Sequence, residues 1–119
     1  MIEGIGMDIV EISRIAAMLE KQKRFAERIL TEEERRVFKT LAGRRKAEFL
    51  AGRFAAKEAF SKAAGTGIGK ELSFQDIEIG TSPLGRPLIL KPFSEGVHLS
   101  ITHSSDYAAA QVVIEKANN

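Results

Sequence analysis

A long helix followed by a glycine-rich segment is the strongest structural signal in this chain. The helix is predicted from about residue 44 to residue 64, and Gly65-Thr66-Gly67-Ile68-Gly69 follows it directly. Glycine just past the last turn is the usual helix terminator. On this helix Glu58, Ser61 and Lys62 share one face, because side chains three and four residues apart are neighbours.

The N-terminal residues 2–9 alternate as a short strand, in which successive side chains point to opposite faces. One face is apolar and carries Ile5, Met7 and Ile9. The other face carries Gly4, Gly6 and Asp8. Glycines in a strand leave room for a close approach, so we expect a ligand to reach the backbone beside Asp8.

Residues 12–30 predict one helix with two unlike faces. Its buried face is expected to carry Ile12, Leu19, Ala26 and Leu30. The opposite face carries Arg14, Met18, Lys21, Phe25 and Arg28. Cations mixed with large apolar side chains indicate either a partner surface with a basic rim or a second packing contact within the fold. The sequence does not decide between these two interpretations.

The remaining elements complete a single domain over residues 1–119. Thr31-Glu32-Glu33-Glu34 is a capping-box pattern that predicts a further helix ending near Gly43. Strands are predicted at 74–79, 87–90, 97–103 and 107–114, with turns between them. The order predicts an α+β fold: an N-terminal strand, helices including one long helix, and then an antiparallel β-meander.

Composition excludes several classes of protein. The chain has no cysteine, which excludes disulfide scaffolds, thiolate nucleophiles and cysteine-based zinc sites and fits a cytoplasmic location. No apolar run is long enough to cross a bilayer, and the acidic residues near the N-terminus argue against a signal peptide. Residues 35–57 contain eight Lys or Arg and one acid, which attracts phosphates, nucleic acid or an acidic protein unless it is only a solvated helix face.

Asp8 and Glu58 are candidate magnesium ligands. Two carboxylates with phosphate oxygens and waters commonly hold Mg²⁺, a hard ion that keeps much of its hydration shell. Spacing alone does not show that residues fifty apart meet. The alternative is that Glu58 forms a weak surface ion pair with Lys62 on the same helix.

Two other catalytic motifs do not fit. The glycine-rich segment is not a phosphate-binding loop of the Walker type, because Ala64 stands where that loop needs glycine and Glu71 where it needs Ser or Thr. A Ser-His-Asp site built on His103 with Ser104 or Ser105 lacks the nucleophile-elbow context.

Short segments along nearly the whole chain match one family in order. They are Gly4-Ile5-Gly6-Met7-Asp8-Ile9-Val10, residues 24–31, residues 49–62 with Lys57-Glu58-Ala59 at their centre, Gly65-Thr66-Gly67, residues 74–79, Gly85-Arg86-Pro87 and Ser100-Ile101-Thr102-His103. Together these segments resemble the holo-acyl-carrier-protein synthases, the short, single-domain group of 4′-phosphopantetheinyl transferases. The resemblance implies the fold of that group.

The resemblance also implies a reaction. Coenzyme A donates 4′-phosphopantetheine to a serine of apo acyl carrier protein in an Mg²⁺-dependent transfer that serves fatty acid biosynthesis, and adenosine 3′,5′-bisphosphate leaves. Asp8 and Glu58 would be the Mg²⁺ ligands, and Lys62 with the Gly65 backbone would lie along the phosphates. Residues around the nucleotide and its 3′-phosphate would be Arg45, Arg53, His103 and Ser104. The general base stays open between Glu58 acting through water and a carboxylate on the carrier.

The same resemblance implies partners. The acidic carrier would dock on Arg14, Met18, Lys21, Arg24, Phe25 and Arg28. The chain is about half the length of the family's pseudodimeric members, so a homotrimer with each coenzyme A site at a subunit boundary is expected. Neither nucleic acid nor a membrane is an expected partner. Three alternatives remain: a transferase of broad carrier specificity, a basic nucleic-acid-binding module, and a catalytically silent carrier-binding protein.

Overall fold

The predicted long helix is confirmed and lies at the centre of the fold. In a computed structural model, which describes residues 1–116, helix α4 spans Arg44–Ala64. Gly65 ends it in the left-handed conformation, with φ 87°. Many of its buried positions are alanine, so strands and helices pack closely around it. The predicted domain of residues 1–119 includes 117–119, which lie outside the described residues.

The other elements surround α4 and confirm the α+β class. Before it come strand β1 (Ile2–Glu11) and helices α1 (Ile12–Lys21), α2 (Phe25–Ile29) and α3 (Glu32–Lys39). After it come a 3-10 turn (Phe74–Asp76) and strands β2 (Glu78–Thr81), β3 (Pro87–Lys91), β4 (Val97–His103) and β5 (Tyr107–Glu115). Within residues 1–116 there is no helix long and apolar enough to cross a membrane.

The antiparallel strands form two sheets rather than one continuous meander. The larger sheet has the order β1-β5-β4, and β2 and β3 pair as a separate hairpin. The strand predicted at 74–79 begins late, because residues 74–76 form the 3-10 turn. That turn is capped locally, since the Ser73 backbone N–H donates to Asp76 Oδ2 at 2.9 Å.

The two faces of β1 are separated as predicted, and the glycine face packs against α4. A Cβ on Gly4 would lie 1.9 Å from the Ala63 carbonyl oxygen, and one on Gly6 would lie 1.9 Å from that of Ala59. The glycines therefore let α4 pack against the strand. The prediction that a ligand reaches the backbone at these glycines is wrong, because α4 fills that space. The apolar face is exposed: Ile5 is 61%, Met7 62% and Ile9 65% accessible.

The single helix predicted over 12–30 is wrong. Helix α1 ends at Lys21, Gln22 is extended, and α2 begins only at Phe25. The break changes the helical phase, so the face assigned to Phe25 by counting from Arg14 does not apply. Phe25 is 7% exposed and its ring centroid lies 6.5 Å from that of Phe54. Phe25 is therefore a packing residue of the core.

A buried ion pair connects α3 to α4. The predicted capping box is confirmed, with Thr31 and Glu34 bonded to each other's backbone N–H groups. Lys57 is fully buried and its Nζ lies 2.6 Å from Glu34 Oε1. Lys57 consequently adds nothing to the basic surface predicted over residues 35–57.

Candidate functional site

Asp8, Glu58 and Lys62 form an acidic cluster with one cation where β1 crosses α4. Lys62 Nζ donates to Asp8 Oδ1 at 3.1 Å and to the Met7 carbonyl oxygen at 3.0 Å. The side chain of Asp8 is largely buried, at 17% exposure, whereas that of Lys62 is half exposed. Lys62 therefore forms its ion pair with Asp8, and the structure brings this residue of β1 to the helix face that Glu58 and Lys62 share.

The electrostatics of this acidic cluster favour a bound cation. Burial raises the pKa of the Glu58 carboxyl, and the nearby Asp8 charge raises it further, while Lys62 acts in the opposite direction. A carboxylate whose ionisation is opposed by burial and by a neighbouring negative charge gains when a divalent ion binds beside it. The oxygen donors suit Mg²⁺, which needs few protein carboxylates because it keeps waters and phosphate oxygens. The residues present therefore fit the implied ion.

A second group of predicted residues forms a cationic groove of about 300 Å³. Arg45, Phe49 and Arg53 contribute from α4, each one turn after the last, and His103 contributes from the end of β4. Leu41 and Ile101 add apolar walls, and Glu48, which is paired with Arg44, is the one acidic residue of the lining within residues 1–116. Three of the four residues expected around the nucleotide are thus brought together.

Ser104, the fourth residue expected around the nucleotide, lies in the turn that follows β4. Its Oγ accepts from the backbone N–H groups of Asp106 at 3.3 Å and Tyr107 at 3.1 Å. The hydroxyl therefore closes the turn between β4 and β5. Gly65 lies apart from this groove, at the end of α4 one turn beyond Lys62.

Arg53 is held in the groove with part of its guanidinium unsatisfied. Its guanidinium carbon lies 4.2 Å from the centroid of the Phe49 ring. Within the part of the chain that the structure describes, its Nε is buried without a hydrogen-bond partner. Burial lowers the pKa of Arg53, and the Glu34 charge opposes that effect. A buried donor without an acceptor is costly, so this groove is suited to receive an anion.

The acidic cluster and the cationic groove do not meet within one chain. Counting about 100° per residue, the side chains at 45, 49 and 53 leave α4 about 160° away from those at 58 and 62. The two groups therefore face nearly opposite sides of the same helix.

The expected carrier-docking face is mostly exposed. Arg14, Lys21, Arg24 and Arg28 are exposed, and Met18 is half-buried. Phe25 lies beneath this surface, as described above. Sequence analysis missed the Phe54 and Phe74 rings beside it, which are half-buried and stack with centroids 5.3 Å apart. Phe74 belongs to the 3-10 turn, so its spacing carried no helical signal.

A larger cavity of about 730 Å³ lies between α1, the start of α4 and the β4–β5 turn. None of the predicted site residues lines it; its polar lining includes Glu11, Glu20, Arg44 and Asp106. Cavity volume alone therefore identifies neither the acidic cluster nor the cationic groove.

Comparison with known proteins gives a consistent match. The family model described as the 4′-phosphopantetheinyl transferase superfamily matches residues 4–112. A holo-[acyl-carrier-protein] synthase of Bacillus velezensis is 64% identical over 118 residues, 98% of each chain. The synthase of Bacillus subtilis is 61% identical over 121 residues, 100% of each.

Solved structures agree with this match. A holo-(acyl-carrier-protein) synthase from Bacillus anthracis, in complex with CoA (3′,5′-ADP), is 58% identical with a TM-score of 0.90, over 98% of this chain and 99% of that one. The Helicobacter pylori synthase in complex with coenzyme A is 42% identical with a TM-score of 0.81, over 93% of this chain and 99% of that one.

Proposed function

We propose, because the chain belongs to the 4′-phosphopantetheinyl transferase superfamily, that it transfers 4′-phosphopantetheine from coenzyme A to a serine hydroxyl of apo acyl carrier protein. The serine oxygen attacks the β-phosphate of the diphosphate. The bond from that phosphorus to the bridging oxygen breaks, and adenosine 3′,5′-bisphosphate leaves. The observation that carries the proposal is the cluster of Asp8, Glu58 and Lys62 in a chain 58% identical to a synthase solved with coenzyme A.

The acidic cluster would hold the reacting diphosphate. Phosphoryl transfer needs positioning and charge neutralisation more than covalent help. Mg²⁺ held by Asp8 and Glu58 would supply positive charge to the diphosphate when bound. Lys62 Nζ, half exposed beside Asp8, adds a second positive charge that can reach a phosphate oxygen. Glu58 acting through water is one candidate for the general base of the serine. A carboxylate on the carrier remains the other candidate for the base.

The cationic groove would bind the nucleotide end of coenzyme A. Arg45, Arg53 and His103 line it together. The forked donors of arginine match a phosphate well, and the unsatisfied Nε of Arg53 would gain an acceptor.

A homotrimer would bring the acidic cluster and the cationic groove to one ligand. Since they face opposite sides of α4, a coenzyme A that contacts both would lie between two copies of the chain. The outer face of the larger sheet supports such assembly, because Ile5, Met7 and Ile9 form an exposed apolar row on β1. Three copies packed through this face would place one shared site at each boundary.

The exposed cations of α1 and α2 would receive the acidic carrier. Arg14, Lys21, Arg24 and Arg28 can steer a negatively charged partner and fix its orientation. Met18 supplies apolar contact area at the centre of this surface. A cytoplasmic location stays a prediction.

The direct test is a transfer assay. The protein is incubated with apo carrier, coenzyme A and Mg²⁺, and the intact mass of the carrier is measured. We expect a gain of one phosphopantetheine that disappears with chelator. Asp8→Ala and Glu58→Ala should abolish the gain while remaining folded, whereas Glu71→Ala, an exposed acid outside the cluster, should not. Normal transfer by either cluster variant would contradict the metal assignment.

A further inference from the structure

The ammonium group of Lys57 makes three hydrogen bonds in the interior of the protein. Its ammonium group is fully buried and donates to Glu34 Oε1 at 2.6 Å, to the Ile29 carbonyl oxygen at 2.6 Å and to the Phe74 carbonyl oxygen at 3.1 Å. All three hydrogens of the ammonium therefore have acceptors. None of these contacts reaches the acidic cluster, although Lys57 precedes Glu58 in the chain.

Glu34 is equally satisfied. Its Oε1 also accepts from the Thr31 backbone N–H at 2.8 Å, and its Oε2 accepts from the Ile79 backbone N–H at 2.7 Å. One buried carboxylate thus joins α3, α4 and β2. Such a pair is weak evidence for stability alone, because apolar residues of similar volume often replace it without loss.

Arg53 lies one helical turn before Lys57 and is the second cation near Glu34. Helical residues four apart are neighbours. The negative charge of Glu34 acts to raise the pKa of both the Arg53 guanidinium and the Lys57 ammonium, against the effect of burial. Of these two cations, only Lys57 hydrogen-bonds to the Glu34 carboxylate. Arg53 instead stacks on Phe49, lines the cationic groove and keeps a buried Nε without a partner.

We propose that Lys57 is a positioning residue: by occupying Glu34, it prevents that carboxylate from capturing Arg53 and leaves the guanidinium free for an anion in the groove. Without Lys57, Glu34 would be a buried charge close enough to influence Arg53, and the arginine would turn toward it and away from the groove. The inference deepens the proposed function, since it rests on Arg53 binding a phosphate of coenzyme A.

Two single variants separate this electrostatic role from a structural one. Lys57→Met and Glu34→Gln both break the buried pair, and both should lower the midpoint of thermal unfolding. Only Lys57→Met leaves the Glu34 carboxylate ionised and without its lysine, so that Arg53 can pair with it. The double variant Lys57→Met/Glu34→Gln removes that charge again and serves as the rescue.

Binding is measured by titration calorimetry with adenosine 3′,5′-bisphosphate. We expect Lys57→Met to bind about tenfold or more weakly, the loss of one charge-assisted hydrogen bond, and Glu34→Gln and the double variant to bind as the wild type does. In the transfer assay Lys57→Met should raise KM for coenzyme A and leave kcat nearly unchanged. Equal losses in both single variants, or no loss in Lys57→Met, would overturn the inference.

The controls keep the outcome decisive. If Lys57→Met does not fold, Glu34→Gln and the double variant still decide, because a tenfold loss in either contradicts the proposal. If the wild type itself does not bind adenosine 3′,5′-bisphosphate, the proposed function of the groove fails, and that result is distinct from failure of the inference about Lys57.

Discussion

Replacing Gly6 by alanine tests how β1 is held on α4. A Cβ at this position would lie 1.9 Å from the Ala59 carbonyl oxygen and 2.8 Å from the Ala63 backbone nitrogen. Contacts under 3.0 Å are essentially never seen for real Cβ atoms, so the strand and helix must separate by about 1 Å. Both obstacles are backbone atoms of the central helix, and no side chain can rotate to make room.

The expected cost of Gly6→Ala follows from that displacement. Overpacking a core costs about 1–3 kcal/mol when side chains can adjust, so a clash with backbone belongs at about 3 kcal/mol or above. In a chain of this length that lowers the unfolding midpoint by about 10 °C. Asp8 lies two residues further along β1 and moves with it. A shift of about 1 Å in a reacting group can cost about 100-fold in rate, so phosphopantetheine transfer should fall by a similar factor.

Gly69→Ala is the matched control. A Cβ on Gly69 has no atom within 4 Å, and its backbone has no positive φ to forbid alanine. Both variants are unfolded thermally by circular dichroism at one protein concentration, because the midpoint of a protein that assembles depends on its concentration. Transfer is followed by the mass of the carrier. The reasoning fails if Gly6→Ala unfolds within about 1 °C of Gly69→Ala and keeps wild-type transfer.

Three further variants test the electrostatics and the assembly. Glu58→Gln should raise the unfolding midpoint of the protein at pH 8 in the presence of chelator. The pKa of Glu58 is raised in the folded state, so its ionised form opposes folding. The gain in midpoint should therefore grow as the pH rises through the folded-state pKa and vanish below about pH 4. A midpoint unchanged at pH 8 would refute this. Arg14→Glu should raise KM for the carrier at low salt, with the difference shrinking as salt is added; an unchanged KM at low salt counts against the docking surface. Met7→Glu should sediment as a monomer without transfer activity, and an active monomer would contradict the shared site.

The elements predicted well from the sequence are those with local signals. Helix α4 begins after Gly43 and ends at Gly65, and α3 begins at the Thr31 capping box, because each boundary depends on residues within one turn. The break between α1 and α2 has no such signal. The segment between them contains neither glycine nor proline, so packing of Phe25 against Phe54 places the break and sequence periodicity could not reveal it.

Alternation along β1 did not show which of its two faces the chain covers. Alternation correctly separated Ile5, Met7 and Ile9 from the glycines, but the rule that apolar faces are buried assumes that the core of one chain covers them. Here α4 takes the glycine face because only glycine permits its close approach. The apolar face of β1 therefore stays exposed on the single chain.

The packing of β1 against α4 explains why Asp8 lies near Glu58. Gly4 contacts α4 at Ala63 and Gly6 contacts it at Ala59, so two residues forward on the strand correspond to four residues back on the helix. Two strand residues advance about 6.6 Å and four helix residues about 6 Å, so the two elements stay in step. One further step of the same register carries Asp8 to the turn of α4 that precedes Ala59 and contains Glu58. The packing of Gly4 and Gly6 against Ala63 and Ala59 therefore brings together two residues that are fifty positions apart in the sequence. An alanine at Gly6 should disturb the acidic cluster even though it touches none of its members.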